Sequence, residues 1–332
     1  MVTLQDIADK TGYSRAVVSR ALNPFPDQRV SPKALEIIRK TAQTMGYRRN
    51  QAASLLARGA SPAIGVFLPA NSNELINELI TGVCNIANQH GFAYNIYFGM
   101  TQDDYLDFFN TVRSTRNAGV ITYLPFNCDG GKLPANLANM LPEKCQVVVA
   151  NARHEIAMSN VSSVIIDNFY GGKLAALHLL ERGCKSFFCE SASSSWQRME
   201  RQRGFTETID QAGYAVEIFD SLLHNDVSEA LLQSFDKVDS PPGIFCNTDL
   251  SALKIFAALS RSSRARQIGS RIKLCGFDKS AMAQAINLTS VNQPFRQLGE
   301  TAMTLLVNQL TGAKLPIKTL RLQPELFYGQ TT

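Results

Sequence analysis

A handful of residues near the N-terminus have the types and spacing needed to read DNA. Arg15, Ala16 and Arg20 fall on one outward side of a short helical pattern, while Thr3 and Ser14 stand at the starts of two helices. An arginine can donate two parallel hydrogen bonds to guanine O6 and N7, a contact worth roughly 1–3 kcal/mol of discrimination. Hydroxyls and backbone amides at helix starts suit phosphate oxygens. Taken alone, Arg15 and Arg20 are equally compatible with ordinary helix-surface arginines. Catalytic chemistry has little support. H-E-x-x-H, G-x-S-x-G and a P-loop are absent, Gly171-Gly172-Lys173 lacks the Walker spacing, and His90, His154, His178 and His224 are scattered. Neither an enzyme nor a metal or organic cofactor is expected.

Three short helices must hold these side chains. The first opens at Thr3, with Asp6 three residues on as a capping-box partner, and buries Leu4, Ile7 and Ala8. Gly12 follows, where a left-handed residue stops a helix. Ser14 caps a second helix whose inner face is Val17, Val18, Ala21 and Leu22. Ser31-Pro32 supplies a cap and a first-turn proline for a third, with Leu35, Ile38, Ala42 and Met45 in one stripe and Gly46 at its end. Two helices joined by a tight Gly-containing turn, with a third in support, make a helix-turn-helix.

Charge agrees with that reading. Residues 1–60 hold ten of the 33 Lys/Arg and four of the 28 Asp/Glu, a net of +6, which leaves 23 bases and 24 acids for the rest, a net of −1. A basic module on a neutral body is the electrostatic footprint of a nucleic-acid contact. The seven cysteines, Cys84, Cys128, Cys145, Cys184, Cys189, Cys246 and Cys275, include no C-x-x-C pair and read as buried, reduced thiols. No export signal or run of eighteen apolar residues is seen, so a cytoplasmic, nucleoid-associated protein is expected.

From residue 63 onward, apolar strands alternate with helical patterns. Strands are expected at 64–68, 93–98, 119–124 and 147–150, and again at 164–166, 187–189, 215–219, 244–246 and 273–275. Such alternation argues for parallel sheets. Gln89-His90-Gly91-Phe92 and Gln211-Ala212-Gly213-Tyr214 each end a long helix just before a strand, an internal echo that fits two similar lobes.

Between the two parts lies Asn50-Gln51-Ala52-Ala53-Ser54-Leu55-Leu56-Ala57-Arg58-Gly59, rich in small helix formers and followed by Ser61-Pro62. Here the chain resembles the LacI/GalR repressor family. The matching residues are Val2-Thr3-Leu4-Gln5-Asp6-Ile7-Ala8, Ser14, Val18-Ser19-Arg20-Ala21-Leu22-Asn23, Gly46-Tyr47, Asn50, Ala53 and Leu56-Ala57. The likeness continues at Asp167-Asn168, Gly171-Gly172, Arg201, Gly204-Phe205, Asp249, Ala252-Leu253, Gly276-Phe277-Asp278, Gln293-Pro294 and Leu298-Gly299. One departure is Pro24–Arg29, slightly longer than usual between the second and third helices.

The resemblance implies an α/β chain: an all-α helix-turn-helix headpiece (1–48), a hinge helix and linker (49–61), and a periplasmic-binding-protein-like body (62–332) of two doubly wound parallel-sheet lobes. The N-lobe would combine about 62–160 with 291–320, and the C-lobe about 161–290 with 321–332. Asn23, Asn50, Ala53 and Leu56 would join Thr3, Ser14, Arg15, Ala16 and Arg20 on double-stranded operator DNA. Leu56 would wedge into the minor groove at the central base step.

For a small-molecule effector, the resemblance points to Asn73, Leu75, Asn151, Trp196, Gln197, Arg201, Thr248 and Asp278 in a cleft between the lobes. Arg201 stands where the family grips ring or carboxylate oxygens, or else is a surface arginine. Asp278 stands where it accepts ligand hydroxyls, or else is an N-cap. Asn73-Glu74-Leu75-Ile76 replaces a common Asn-Pro-Phe-Phe and so removes a ring-stacking platform, while Thr248 and Asn151 also depart from common choices. Trp196 would either supply a replacement face or pack in the core or rim. The function implied is a homodimeric repressor of carbohydrate-metabolism genes switched by a sugar-like molecule on a pseudo-palindromic operator. An activator or a nucleoside- or purine-responsive regulator on the same scaffold is the alternative. No membrane partner is expected. The chain stops at Thr332 without the extra C-terminal heptad helix of tetrameric relatives, which favours a dimer.

Overall fold

Local rules set the headpiece. The computed structural model describes residues 2–22, 30–47, 61–70, 73–123, 145–152, 160–192, 195–220, 227–310 and 319–332. Thr3 and Asp6 exchange hydrogen bonds in a capping box, so α1 (Leu4–Thr11) starts there, and Gly12 at φ 71° ends it. The Ser14 and Ser31 hydroxyls each accept an amide three residues on, starting α2 (Arg15–Ala21) and α3 (Pro32–Thr44). Ile7, Ala8, Val18, Ala21, Ile38 and Ala42 meet in one core between the three helices. Each cap is worth about 1 kcal/mol and each buried aliphatic side chain roughly 1.5–3, so the core holds the module and the caps place its ends.

The body is two sheets. The first is formed by β1 (Ser61–Pro69), β2 (Tyr94–Gly99), β3 (Asn117–Tyr123), β4 (Gln146–Ala150), β5 (Val161–Ile166) and β11 (Thr319–Leu322). Its order is β11-β5-β4-β3-β1-β2, with all neighbours parallel. Helices α4 (Glu74–Gln89), α5 (Gln102–Thr115) and α11 (Phe295–Leu310) cover its faces, over two apolar clusters.

The second sheet contains β6 (Ser186–Glu190), β7 (Val216–Phe219), β8 (Pro242–Phe245), β9 (Lys273–Asp278), β10 (Thr289–Asn292) and β12 (Glu325–Phe327). The order is β12-β10-β9-β8-β6-β7, and β12 runs antiparallel to β10, so this lobe is not wholly parallel as expected. Its helices are α6 (Asn168–Glu181), α7 (Trp196–Gln211), α8 (Glu229–Asp236), α9 (Asp249–Ser260) and the short α10 (Ala281–Ala285), again over two clusters.

The expected lobe boundaries need three corrections. Residues 161–166 were assigned to the C-lobe, but β5 bonds to β4 and β11 and so completes the N-lobe sheet. Residues 291–292 were assigned to the N-lobe, but they end β10 in the second sheet. Residues 321–322 belong to β11 in the first. The apolar runs themselves are readable in sequence; which sheet accepts them is decided by pairing far along the chain. The chain therefore crosses between lobes near 167, 293 and 323.

In each sheet the strand order reverses beside its first strand, at β1/β3 and at β6/β8. Open α/β sheets bind ligands at that switch, off the carboxyl ends of the strands. Each lobe also presses two helices together through glycines. A Cβ at Gly82 of α4 would meet the Arg296 backbone, and one at Gly299 of α11 the Leu79 backbone. Likewise Gly172 of α6 lies against the Arg201 carbonyl, and Gly204 of α7 against the Phe169 carbonyl. The second contact brings Arg201 to Asn168. Among the described residues no helix is long and apolar enough to cross a membrane.

Candidate functional site

A cleft of about 140 Å3 lies where the carboxyl ends of both sheets face each other. Pro69, Tyr123 and Asn151 enter from the ends of β1, β3 and β4, while Thr248, Asp278 and Gln293 enter from β8, β9 and β10. Helix starts complete it: Asn73, Leu75 and Ile76 from α4, Ser195, Gln197, Arg198 and Arg201 from α7, and Phe295 from α11.

Arg201 is the most constrained of these. It is buried, not on the surface, with 5% of its area exposed. Its Nε–H donates to Asn168 Oδ1 at 2.9 Å and Nη1 to the Asn247 carbonyl at 2.7 Å. Nη1 also lies 3.7 Å from Asp278 Oδ1, and the guanidinium carbon sits 3.8 Å from the Phe277 ring centroid. Asn247 is fixed in turn by buried Glu190, which accepts its amide N–H at 2.8 Å and whose carbonyl accepts its side chain at 2.7 Å. No hydrogen bond to the described residues uses Arg201 Nη2, which leaves one donor arm for a ligand.

Asp278 is not an N-cap; Ser280 caps α10. Instead Asp278 ends β9 at φ 125°, a backbone region that L residues rarely occupy and that costs of order 1–3 kcal/mol. It accepts from Gln293 Nε2 at 2.6 Å. Burial pushes its carboxyl up to about 7 and outweighs the attraction of Arg201, while Asp249 pushes the same way. Burial also lowers the Arg201 guanidinium to about 10. Both charges of the pair are therefore held at a cost, as expected where the surroundings give less solvation than water.

Among the described residues, two acceptors of the cleft lining are left without partners. Asn151, in the left-handed region at φ 55°, donates from Nδ2 to the Tyr123 hydroxyl at 2.7 Å, and its Oδ1 is buried and unsatisfied. Gln293 Oε1 is likewise buried and unsatisfied. An unmet buried acceptor costs about 1–3 kcal/mol, a cost that a ligand O–H or N–H removes. Asn73 and Thr248 serve as N-caps of α4 and α9, their oxygens accepting from Ile76 and Ser251. Ala281 N–H donates to the Glu74 carboxylate at 2.9 Å, a direct bond from one lobe to the other across the cleft mouth.

Trp196 does not line this cleft. It faces a separate cavity of about 430 Å3 with Asp167, Phe169, Glu200 and Arg203. The reason is the helical repeat: Trp196, Glu200 and Arg203 share one side of α7, and Gln197, Arg198 and Arg201 another. Sequence reading missed Pro69, Ile76, Tyr123, Ser195, Arg198, Gln293 and Phe295. Arg198 was findable, being one turn before Arg201, and Gln293 lay within a motif already noted. Nothing local marked Tyr123 or Phe295.

In the headpiece, Arg15 and Ala16 are exposed at the start of α2. Arg20 is half-buried, and its Nε–H folds back to the Ala16 carbonyl at 3.1 Å. Thr3 and Ser14 are exposed, both engaged as caps. Asn23, Asn50, Ala53 and Leu56, the Pro24–Arg29 insertion and the hinge expected over 49–61 (save Ser61, which opens β1) lie outside the described residues. Of the cysteines, Cys145, Cys184, Cys189, Cys246 and Cys275 are buried and free, and Cys84 is half-buried.

Comparison with known proteins follows the same division. A model of the periplasmic binding protein-like domain matches residues 176–332. The chain is 25% identical to catabolite control protein A of Priestia megaterium, over 100% of this chain and 99% of that one. It is 27% identical to the ribose operon repressor of Halalkalibacterium halodurans, over 97% and 93%. The lac repressor dimer bound to operator and an anti-inducer shares the fold at a TM-score of 0.67, with 21% identity and 100% and 99% coverage. A regulator solved with cellobiose gives 0.65, with 22% identity over 100% of both chains. The chain thus resembles the LacI/GalR repressors along its whole length. That likeness covers both the helix-turn-helix and the two-lobed body. Leu75, Asn151 and Thr248, where the chain departs from common family choices, all fall on the cleft wall.

Proposed function

We propose that this chain is a sequence-specific transcriptional repressor of carbohydrate-metabolism genes, switched by a small hydroxylated molecule between its lobes. What carries this reading is convergence. Asn151 Oδ1, Gln293 Oε1 and Arg201 Nη2 have no partner among the described residues, and all belong to residues lining one interlobe cleft. The same chain begins with a basic helix-turn-helix.

Arg15 and Ala16 read base edges in the major groove, with Thr3, Ser14 and Arg20 supporting backbone contacts. Asn23, Asn50, Ala53 and Leu56 join them on the strength of the sequence. The chain acts as a homodimer with one headpiece per half-site of a pseudo-palindrome. Exposed Phe98 and Met100 on the N-lobe, and Leu250 and Met282 on the C-lobe, offer apolar contact for a second copy. The protein works in the cytoplasm on the nucleoid and turns over no substrate.

The ligand acts through differential affinity for two lobe arrangements, typically ~1–3 kcal/mol of coupling. It lies beside the Glu74–Ala281 bond, so filling the cleft changes how the lobes close, and with it the spacing of the two chain segments near 60. The test is selection of duplexes from a random pool by the full chain, followed by anisotropy titration of the winner at several salt concentrations. A pseudo-palindrome whose affinity falls steeply with salt is expected. Failure to enrich a two-fold site, or a flat salt response, overturns the proposal.

A further inference from the structure

Resting on that reading of the cleft, we infer that the effector is a small polyol bearing one anionic group, and that Arg198 is the residue that selects for the anion. Among the described residues, the charged side chains lining the cleft are Arg198, Arg201 and Asp278. Arg201 is committed through Nε and Nη1 to the protein, and its cation–carboxylate contact with Asp278 is 3.7 Å long. Arg198, one turn earlier on the same side of α7, makes no hydrogen bond or ion pair with any described residue, yet it lines the cleft half-buried. Two guanidiniums therefore face one carboxyl. Asp278 pairs with Arg201 and accepts from Gln293, and it acts on Arg198 only as a weaker electrostatic neighbour, so Arg198 has no ion-pair partner among the described residues.

The helix that carries both arginines adds to the imbalance. Its N-cap, Ser195, makes no side-chain cap bond, and the Ser195 hydroxyl donates to Gln197 Oε1 at 2.6 Å. The first-turn amides of this 16-residue helix thus retain their positive end at the cleft, where an anion is favoured. A second observation comes from Asn151 on the opposite wall and from Gln293 at the end of β10. Asn151 and Gln293, each 5% exposed, present acceptor oxygens with no donor. These call for ligand O–H or N–H donors, which a fully deprotonated inorganic anion such as sulfate lacks. The occupant that meets both demands has hydroxyls toward Asn151 and Gln293 and a carboxylate or phosphate toward Arg198 and Arg201 Nη2.

The test is calorimetric titration of the full chain with gluconate and galacturonate, with glucose 6-phosphate and ribose 5-phosphate, and with neutral glucose, galactose and ribose. One of the anions is expected to bind roughly tenfold or more tightly than its neutral parent, the scale of a charge-assisted hydrogen bond. The acid and ester arms tell carboxylate from phosphate. Arg198→Gln should erase that preference and Arg198→Lys restore part of it, while Trp196→Phe, in the other cavity, should leave every Kd unchanged. A neutral sugar that binds as tightly as its anion, or an anion indifferent to Arg198→Gln, overturns the inference. If no anion binds but the selected duplex is still held, the inference falls and the regulator reading stands. If the duplex is not held either, both fall.

Discussion

The two walls of the cleft are built from opposite materials. The N-lobe wall is Pro69, Leu75, Ile76, Tyr123 and Phe295, apolar or aromatic apart from Asn73 and Asn151. The C-lobe wall is Ser195, Gln197, Arg198, Arg201, Thr248, Asp278 and Gln293, polar throughout. Directional bonds orient a ligand, whereas apolar area gains most when it excludes water. The contrast assigns the C-lobe to orientation and the N-lobe to cover. On the proposed reading, a ligand engages Arg198, Arg201 and Asp278 first, and the N-lobe closes over it.

The largest expected effect comes from removing the centre of the polar wall. Arg201→Ala should abolish ligand binding and cost about 3–5 kcal/mol in denaturant unfolding, because it strips the partner from a buried ionic network. A loss under roughly 1 kcal/mol would show that the network is not structural. Next is Gly204→Ala, where a Cβ meets the Phe169 carbonyl. It should destabilise by ~1–3 kcal/mol through forced separation of α6 and α7, and weaken binding as Arg201 shifts. Unchanged stability would mean the helices move apart freely.

Asp278→Asn sharpens the comparison through pH. The native carboxyl titrates at about 7, raised above 3.8. The folded chain therefore binds this proton more tightly than the unfolded chain does. Its contribution is fully present below about pH 4 and is lost as pH rises through 7. Asn should thus stabilise the protein at pH 8 relative to pH 4.5, seen as a positive difference in unfolding midpoint shifts; equal shifts at both pH values would contradict the assignment. The apolar wall gives the smallest effect. Leu75→Phe adds ring area facing the ligand and should tighten binding by about 1 kcal/mol or less, mostly in the dissociation rate. Faster dissociation would show that the wall is already filled.

Much of this was legible from the residues. Thr3 with Asp6, Ser14, and Ser31 with Pro32 fixed three helix starts, since a cap acts within four residues of itself. The end of a long helix at Gln211 also read correctly. The rotation of that helix was legible too, though misjudged. Trp196 and Arg201 are five residues apart and so lie about 140° apart around the axis, too far to share a cleft. Other features were not legible at all. Val161–Ile166 is an apolar run that would suit either sheet, and only its pairing with β4 and β11 places it. The burial of Arg201 depends on Gly172 and Gly204 meeting across two helices, and the orphaned oxygens of Asn151 and Gln293 depend on two lobes meeting.

By itself, then, the sequence determined what local energetics decide, a basic, capped helix-turn-helix and an alternating α/β body, while Arg201 and Asp278 became candidates through the family resemblance. The tertiary structure decided which strand joins which sheet, which side of α7 faces the cleft, and which polar atoms are left without partners. Capping and periodicity act over a turn or two of chain. Solvent exclusion and hydrogen-bond satisfaction are properties of surfaces brought together from distant residues.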